Sequence, residues 1–172
     1  MKLNPTTEKF ILHWGEMGTK WGVNRTVAQI HALLYILCRP MNAEEITETL
    51  GVARSNVSNS IKELQNLRLV HTVHILGDRR DHFETSDDVW TLFRTIAEVR
   101  MQPEIEPTRQ FLQSLIDSPE FSQENETAKQ RIRQTYDFIN TLTIWANEML
   151  KLSTSTMVKI LKIGAGIQKF FR

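Results

Sequence analysis

Apolar positions along the chain recur mainly at helical spacing. Phe10, Trp14, Met17 and Trp21 fall at i, i+4, i+7 and i+11, which predicts an amphipathic helix from Pro5 to Lys20. Asn24 is placed to cap a second helix with Val27, Ile30, His31, Leu34 and Leu37 inward, ending before Pro40. Asn42-Ala43-Glu44-Glu45 has the form of a capping box, Asn at the cap and Glu three residues on. The short helix it opens turns Ile46 and Leu50 inward and stops at Gly51. Gly51-Val52-Ala53 then makes a tight turn into a helix starting at Arg54, with Val57, Ile61 and Leu64 on its core face. Val70 to Leu76 reads as a strand, Gly77 to Asp81 as a turn, and His82 to Thr85 as the returning strand.

The C-terminal half is helical in pattern. Ser86, Asp87 or Asp88 caps a helix holding Val89, Leu92, Phe93, Ile96 and Val99, which Pro103 and Pro107 are expected to break. Phe111, Leu112 and Leu115 continue a helix over 108–117, Ser118-Pro119 ends it, and Ser122 to Glu126 reads as a loop. A long helix follows with Ile132, Tyr136, Ile139, Leu142, Ala146 and Met149 in a near-heptad stripe, suited to pairing within the chain or across a dimer. Met157, Ile160, Leu161, Ile167 and Phe171 form the apolar side of a last helix, with Lys159, Lys162 and Lys169 opposite. A basic amphipathic helix of this kind suits an anionic membrane surface. The helical surroundings favour packing into a dimer core with solvated lysines instead.

The polar face of the helix at Arg54 is unusual. It displays Arg54, Ser55, Asn56, Ser58, Asn59 and Lys62, short hydrogen-bonding groups where Glu and Lys would normally supply helix propensity. Amides and hydroxyls reaching base edges and phosphates in a major groove explain that face better than solvation does. The hairpin tip carries Arg79 and Arg80, placed to grip the flanking backbone or minor groove, with Asp78 placed to orient a wing arginine by a salt bridge.

Charge refines this picture without deciding it. The 172 residues carry a net charge of +1, far from the strongly basic balance common in nucleic-acid-binding domains. Placement is more informative: Arg54, Lys62, Arg68, Arg79 and Arg80 stand against Glu63, Asp78 and Asp81 between positions 54 and 82. The preceding helix, with Glu44, Glu45 and Glu48, is acidic and is expected to face away from phosphates. Cys38, the one cysteine, excludes an intramolecular disulfide, suits a reducing cytoplasm, and reads as a small buried residue rather than a redox-sensing thiol. No charge-free run is long enough to span a bilayer, and the N-terminal stretch is too charged for a signal peptide.

These motifs carry a resemblance. Residues 42–85 resemble the DNA-binding domain of MarR-family regulators, with Asp78-Arg79-Arg80 similar to that family's Asp-x-Arg wing motif. Trp21-Gly22, Ile30-His31-Ala32-Leu33-Leu34-Tyr35, Asn56-Val57-Ser58, Gly77-Asp78-Arg79-Arg80-Asp81, Trp90-Thr91-Leu92-Phe93-Arg94 and Ile105-Glu106-Pro107-Thr108 are similar to the GbsR-like branch, over roughly residues 10–115. Two positions depart from the pattern. Ala53 stands where the family usually has a capping Ser or Thr, a loss of about 1 kcal/mol unless Ser55 caps a later-starting helix. Arg68 stands where Gly usually closes that helix, at a cost of about 1 kcal/mol if it turns left-handed.

The expected fold is mainly α: a winged helix-turn-helix of three helices plus a β-hairpin wing over 23–86, flanked by dimerisation helices over 1–22 and 87–172. The expected function is a cytoplasmic, dimeric transcriptional regulator on a pseudo-palindromic double-stranded operator, classed with repressors although the sequence leaves repression or activation open. The resemblance also implies a small-molecule effector, for which Trp14, Trp21 and Tyr35 are weak candidates as a cation–π cage; their place on apolar stripes favours packing. His71 and His74 point to opposite faces of a strand, so neither a metal nor another cofactor is expected. No nucleophile elbow, phosphate loop or zinc-hydrolase helix is present, and no enzyme is expected. The other class of function is a protein-interaction or membrane-surface adaptor that keeps the winged helix as scaffold.

Overall fold

The computed structural model describes residues 2–166, apart from the side chains of residues 101, 102 and 165. Ile167, Lys169 and Phe171 of the expected last helix lie outside the described residues. The chain forms two compact units, the first ending at Val99 and the second beginning at Arg100.

In the first unit, α1 (Pro5–Lys20) packs on α2 (Arg25–Leu37), and α2 in turn packs on α4 (Arg54–Asn66). Local signals set the ends of these helices: Asn4 and Asn24 accept from the backbone N–H groups of Thr6 and Thr26. The capping box at α3 (Ala43–Leu50) is fully made: the Asn42 side chain accepts from the N–H groups of Glu44 and Glu45, and the Glu45 carboxylate accepts the Asn42 N–H at 3.0 Å. Ile30, Leu33 and Leu34 of α2 meet Met41, Ile46, Val57, Leu64 and Phe83 in one buried core. Three antiparallel strands in the order β1 (Met41–Asn42), β3 (His82–Glu84), β2 (His71–Val73) close it. Two strands were expected from the pattern; β1 is two residues long and leaves no period to read. It pairs Met41 with Phe83 and Asn42 with His82. Strand β2 is shorter than the strand expected from Val70 to Leu76, because the chain turns from Ile75, whose carbonyl accepts the Asp78 N–H, and Gly77 supplies a φ of 86°.

Two expectations for this unit need correction. The buried face of α1 is Ile11, Gly15 and Gly18, while Trp14 and Trp21 lie outside the core. Cys38 is exposed, in a left-handed conformation at the end of α2 rather than buried.

Asp88 caps α5 (Val89–Ile96), its carboxylate held below the usual range by the Thr91 hydroxyl and the N–H groups of Trp90 and Thr91. The prolines beyond do not break the helical run. A π turn over Ala97–Met101 leads into α6 (Gln102–Ile116), which contains Pro107. The wider turn sits just before Pro103 and relieves the clash of a proline ring with the carbonyl four residues back. In the second unit α6 packs on α7 (Glu126–Lys151), separated from it by a short 3₁₀ turn (Pro119–Gln123) that takes in the first two residues of the loop expected over Ser122 to Glu126. Thr154–Gly166 forms α8. No described helix is long and apolar enough to cross a membrane.

Candidate nucleic-acid interface

The turn between α3 and α4 is built on Gly51, at φ 64°, whose N–H closes α3 on the Thr47 carbonyl. Ala53 then enters α4 in extended geometry and supplies no side-chain cap. Ser55 does not take over that role, since α4 begins at Arg54. The far end of α4 answers the second departure: Arg68 is left-handed, at φ 55°. Around it the Leu69 N–H bonds the Leu64 carbonyl and the Arg68 N–H bonds the Gln65 carbonyl, each at 2.9 Å. That is a Schellman closure with Leu64 and Leu69 buried beneath it.

Between these ends α4 divides cleanly. Val57, Ser60, Ile61 and Leu64 are buried. Arg54, Ser55, Asn56, Ser58, Asn59 and Lys62 are all exposed. The side chains of Ser55, Asn56, Ser58 and Asn59 engage no other group among the described residues. Helix α4 is tied to the wing at its far end, where the Gln65 amide donates to the Thr72 hydroxyl at 3.0 Å.

The wing is ordered by its own acids. Asp78 accepts from the Arg80 backbone N–H at 3.0 Å and from its guanidinium Nε at 2.9 and 3.0 Å. This grip holds the Asp78 carboxyl well below, and the Arg80 guanidinium above, their ordinary ranges. Behind the pair His82 is buried; its Nδ1 donates to the Arg80 carbonyl at 3.0 Å and its Nε2 lies 3.6 Å from Asp78. Since a carbonyl only accepts, Nδ1 must carry a proton. Arg79 has no side-chain partner among the described residues, and Leu76, three residues earlier, is fully exposed. Leu76 escaped the sequence reading, which assigned it to a strand; an apolar residue facing water at a hairpin tip became visible only with the turn.

Glu44 is the larger surprise. It does not turn away from the basic groups. One carboxylate oxygen lies 3.3 Å from Arg54 Nη1 and the other 3.2 Å from Arg80 Nη1. Second on α3, it stands between the start of α4 and the wing.

The other candidates lie apart. Trp14 stacks on Phe10 with centroids 5.6 Å apart and meets Trp21 edge-on at 6.0 Å. Tyr35 packs against the core from α2. His71 bonds Glu84 at 2.8 Å, and His74 lies 4.0 Å from Asp81. No group of three or more metal-ligating side chains occurs among the described residues.

A helix, a tight turn, a helix with an open polar face and an ordered hairpin, in that order, are the parts of a winged helix-turn-helix. Residues 21–81 match the family model described as MarR family. This segment is similar to the winged helix of MarR-family proteins. Among curated proteins, the chain is 25% identical over 89 residues to the putative HTH-type transcriptional regulator YvaV of Bacillus subtilis, covering 52% of this chain and 50% of that one. It is 23% identical over 73 residues to the HTH-type transcriptional repressor OpcR of the same organism, covering 42% of this chain and 40% of that one. The chain thus spans half or less of the curated relatives it matches. A solved transcriptional regulator superposes with a TM-score of 0.63 at 18% identity, covering 85% of this chain and 96% of that chain. That likeness supports the fold alone, a mainly helical chain with a winged helix and a small antiparallel sheet.

Proposed function

We propose that the protein is a dimeric, sequence-specific DNA-binding transcriptional regulator of the GbsR-like branch, acting as a repressor under effector control. The observation that carries this reading is the open face of α4, where the side chains of Ser55, Asn56, Ser58 and Asn59 have no partner of their own, beside a wing whose Arg79 is equally unengaged. In this reading α4 lies in a major groove, Asn56 and Asn59 bond base edges, and Arg54 and Lys62 meet phosphates. Arg79 and Arg80 grip the flanking backbone or minor groove, and Asp78 presents Arg80 in one orientation. A two-fold dimer would then read half-sites about 10 bp apart or a multiple of that. An effector would act by favouring one separation of the two reading heads, which requires that it bind the two arrangements unequally. The GbsR-like assignment rests on the motifs from Trp21 to Thr108, and the repressor sense on the printed name of one relative.

The test is fluorescence-anisotropy binding to DNA from upstream of the protein's own gene and to duplexes selected from a random pool, across a salt series. Asn56→Ala should cost about 1–3 kcal/mol on the preferred sequence and relax its preference at one position. Arg79→Ala should weaken binding to all sequences alike and lower the salt slope by about 1. Sequence-blind binding that is unchanged in Asn56→Ala, with no sequence returned by selection, would overturn the reading in favour of an adaptor built on a winged-helix scaffold.

A further inference from the structure

The regulator reading assigns Arg54 and Arg80 to the phosphate backbone, yet both are engaged by a carboxylate. Glu44 is anchored at the start of α3, where the Asn42 side chain accepts its backbone N–H at 3.0 Å. From there its two oxygens divide between the two arginines, at 3.3 Å to Arg54 and 3.2 Å to Arg80. Arg80 has Asp78 as a second partner; Glu44 is the one acid paired with Arg54 among the described residues. Glu44, Asp78, Arg54 and Arg80 together carry no net charge, and among the described residues Arg79 and Lys62 have no ion-pair partner. The Glu44 carboxylate also sits at a helix N-terminus, the position a phosphate would otherwise favour.

We propose that Glu44 is an affinity-limiting residue, which competes with the DNA backbone for Arg54 and Arg80. This inference rests on the regulator reading above. The side chains of Arg54 and Glu44 are 72% and 49% exposed, so the pair is hydrated and readily exchanged. It is too weak to act as a rigid strut between α4 and the wing. It is strong enough to tax every phosphate contact made through these two arginines. Non-specific binding is almost entirely such contacts, whereas the Ser/Asn face of α4 does not touch Glu44. A carboxylate in this place therefore weakens random-sequence and operator binding alike, because Arg54 and Arg80 meet the backbone in both, and it leaves sequence preference to the Ser/Asn face.

The experiment compares the full chain with Glu44→Gln and Glu44→Ala, on a random-sequence duplex and on a duplex returned by selection. Binding is followed across a salt series, and the melting temperature of each variant is taken alongside. Both substitutions should tighten random-duplex binding roughly fivefold, the combined worth of two exposed pairs, and steepen its salt slope by about 1–2. The selected duplex should gain by a similar factor, so the ratio between the two holds. Unchanged or weaker random-duplex binding by folded variants would overturn this inference alone and make Glu44 a brace for the wing. A wild-type chain that binds neither duplex would overturn the regulator reading, and this inference with it.

Discussion

At position 31 an imidazole lies inside the first unit, 8% exposed, where a charged ring has no compensation. Its Nε2 stands 3.2 Å from the Thr85 hydroxyl, which donates its own proton to the Leu69 carbonyl at 2.7 Å. The hydroxyl can then only accept from the ring, so the Nε2 of His31 carries a proton. Burial pushes its pKa down to about 4 from 6.5. The folded state therefore binds a proton less readily than the unfolded chain, and stability rises with pH through that interval. As the pH falls from 6.5 towards 4 the protein should lose up to about 3 kcal/mol from this residue. Urea denaturation at pH 7.5 and pH 5 should show the loss. His31→Gln, which keeps a donor for Thr85, should flatten it; an equal pH dependence in that variant would assign the loss elsewhere. Ala53 and Arg68 belong to the same scale. Each was legible as a mismatch between residue type and position, and the structure contains both: a helix start without a side-chain cap and a left-handed Arg.

Among the elements, the pairing of α1 with α2 shows where periodicity misleads. The aromatic residues of α1 recur at helical spacing, but the line of closest approach is occupied by Gly15 and Gly18. A Cβ on Gly18 would lie 2.4 Å from the Ala28 Cβ, a backbone-anchored atom with nowhere to move. Large side chains flank such an approach and cannot enter it. Phe10 therefore packs at the margin of the core, and Trp14 and Trp21 meet each other outside it. Gly18→Ala should destabilise the fold by about 1–3 kcal/mol despite the better helix propensity of Ala, read as a lowered melting temperature. Adding Ala28→Gly should restore more than half of the loss. A stabilised Gly18→Ala would show that the two helices are free to separate. The prolines after α5 were misread for a related reason: a proline rule that counts α-helical bonds does not foresee a π turn placed to absorb the ring.

At the scale of the whole molecule, the second unit leaves α7 without a buried residue. Phe138, Leu142 and Trp145 are 64%, 48% and 57% exposed on a helix of 26 residues. Apolar surface of this extent on one helix is the mark of an interface. Together with the proposed two-fold reading of DNA, it favours a second copy of the chain as the partner. Sedimentation velocity should find a dimer at micromolar concentration. Leu142→Glu combined with Trp145→Glu should shift it to monomer and weaken binding to a full operator far more than binding to a half-site. A dimer that survives both substitutions would place the interface elsewhere.

What the chain determined by itself is whatever rests on neighbours in sequence. The capping box at Asn42, the Gly51 turn, the polar face of α4, the left-handed strain at Arg68 and the arginine-tipped hairpin all depend on bonds or periodicities within a few residues. They were enough to make the winged helix and its open polar face legible. Tertiary structure decided the rest. Which side of α1 is buried depends on the backbone that meets it. The β1 strand exists because β3 is there to pair with it. Glu44 meets Arg80, 36 residues away, only because β1 and β3 lie in register beside α3. An acid that appears in the sequence as one of three on an acidic helix acquires its place among the arginines from that long-range pairing, to which no local propensity points.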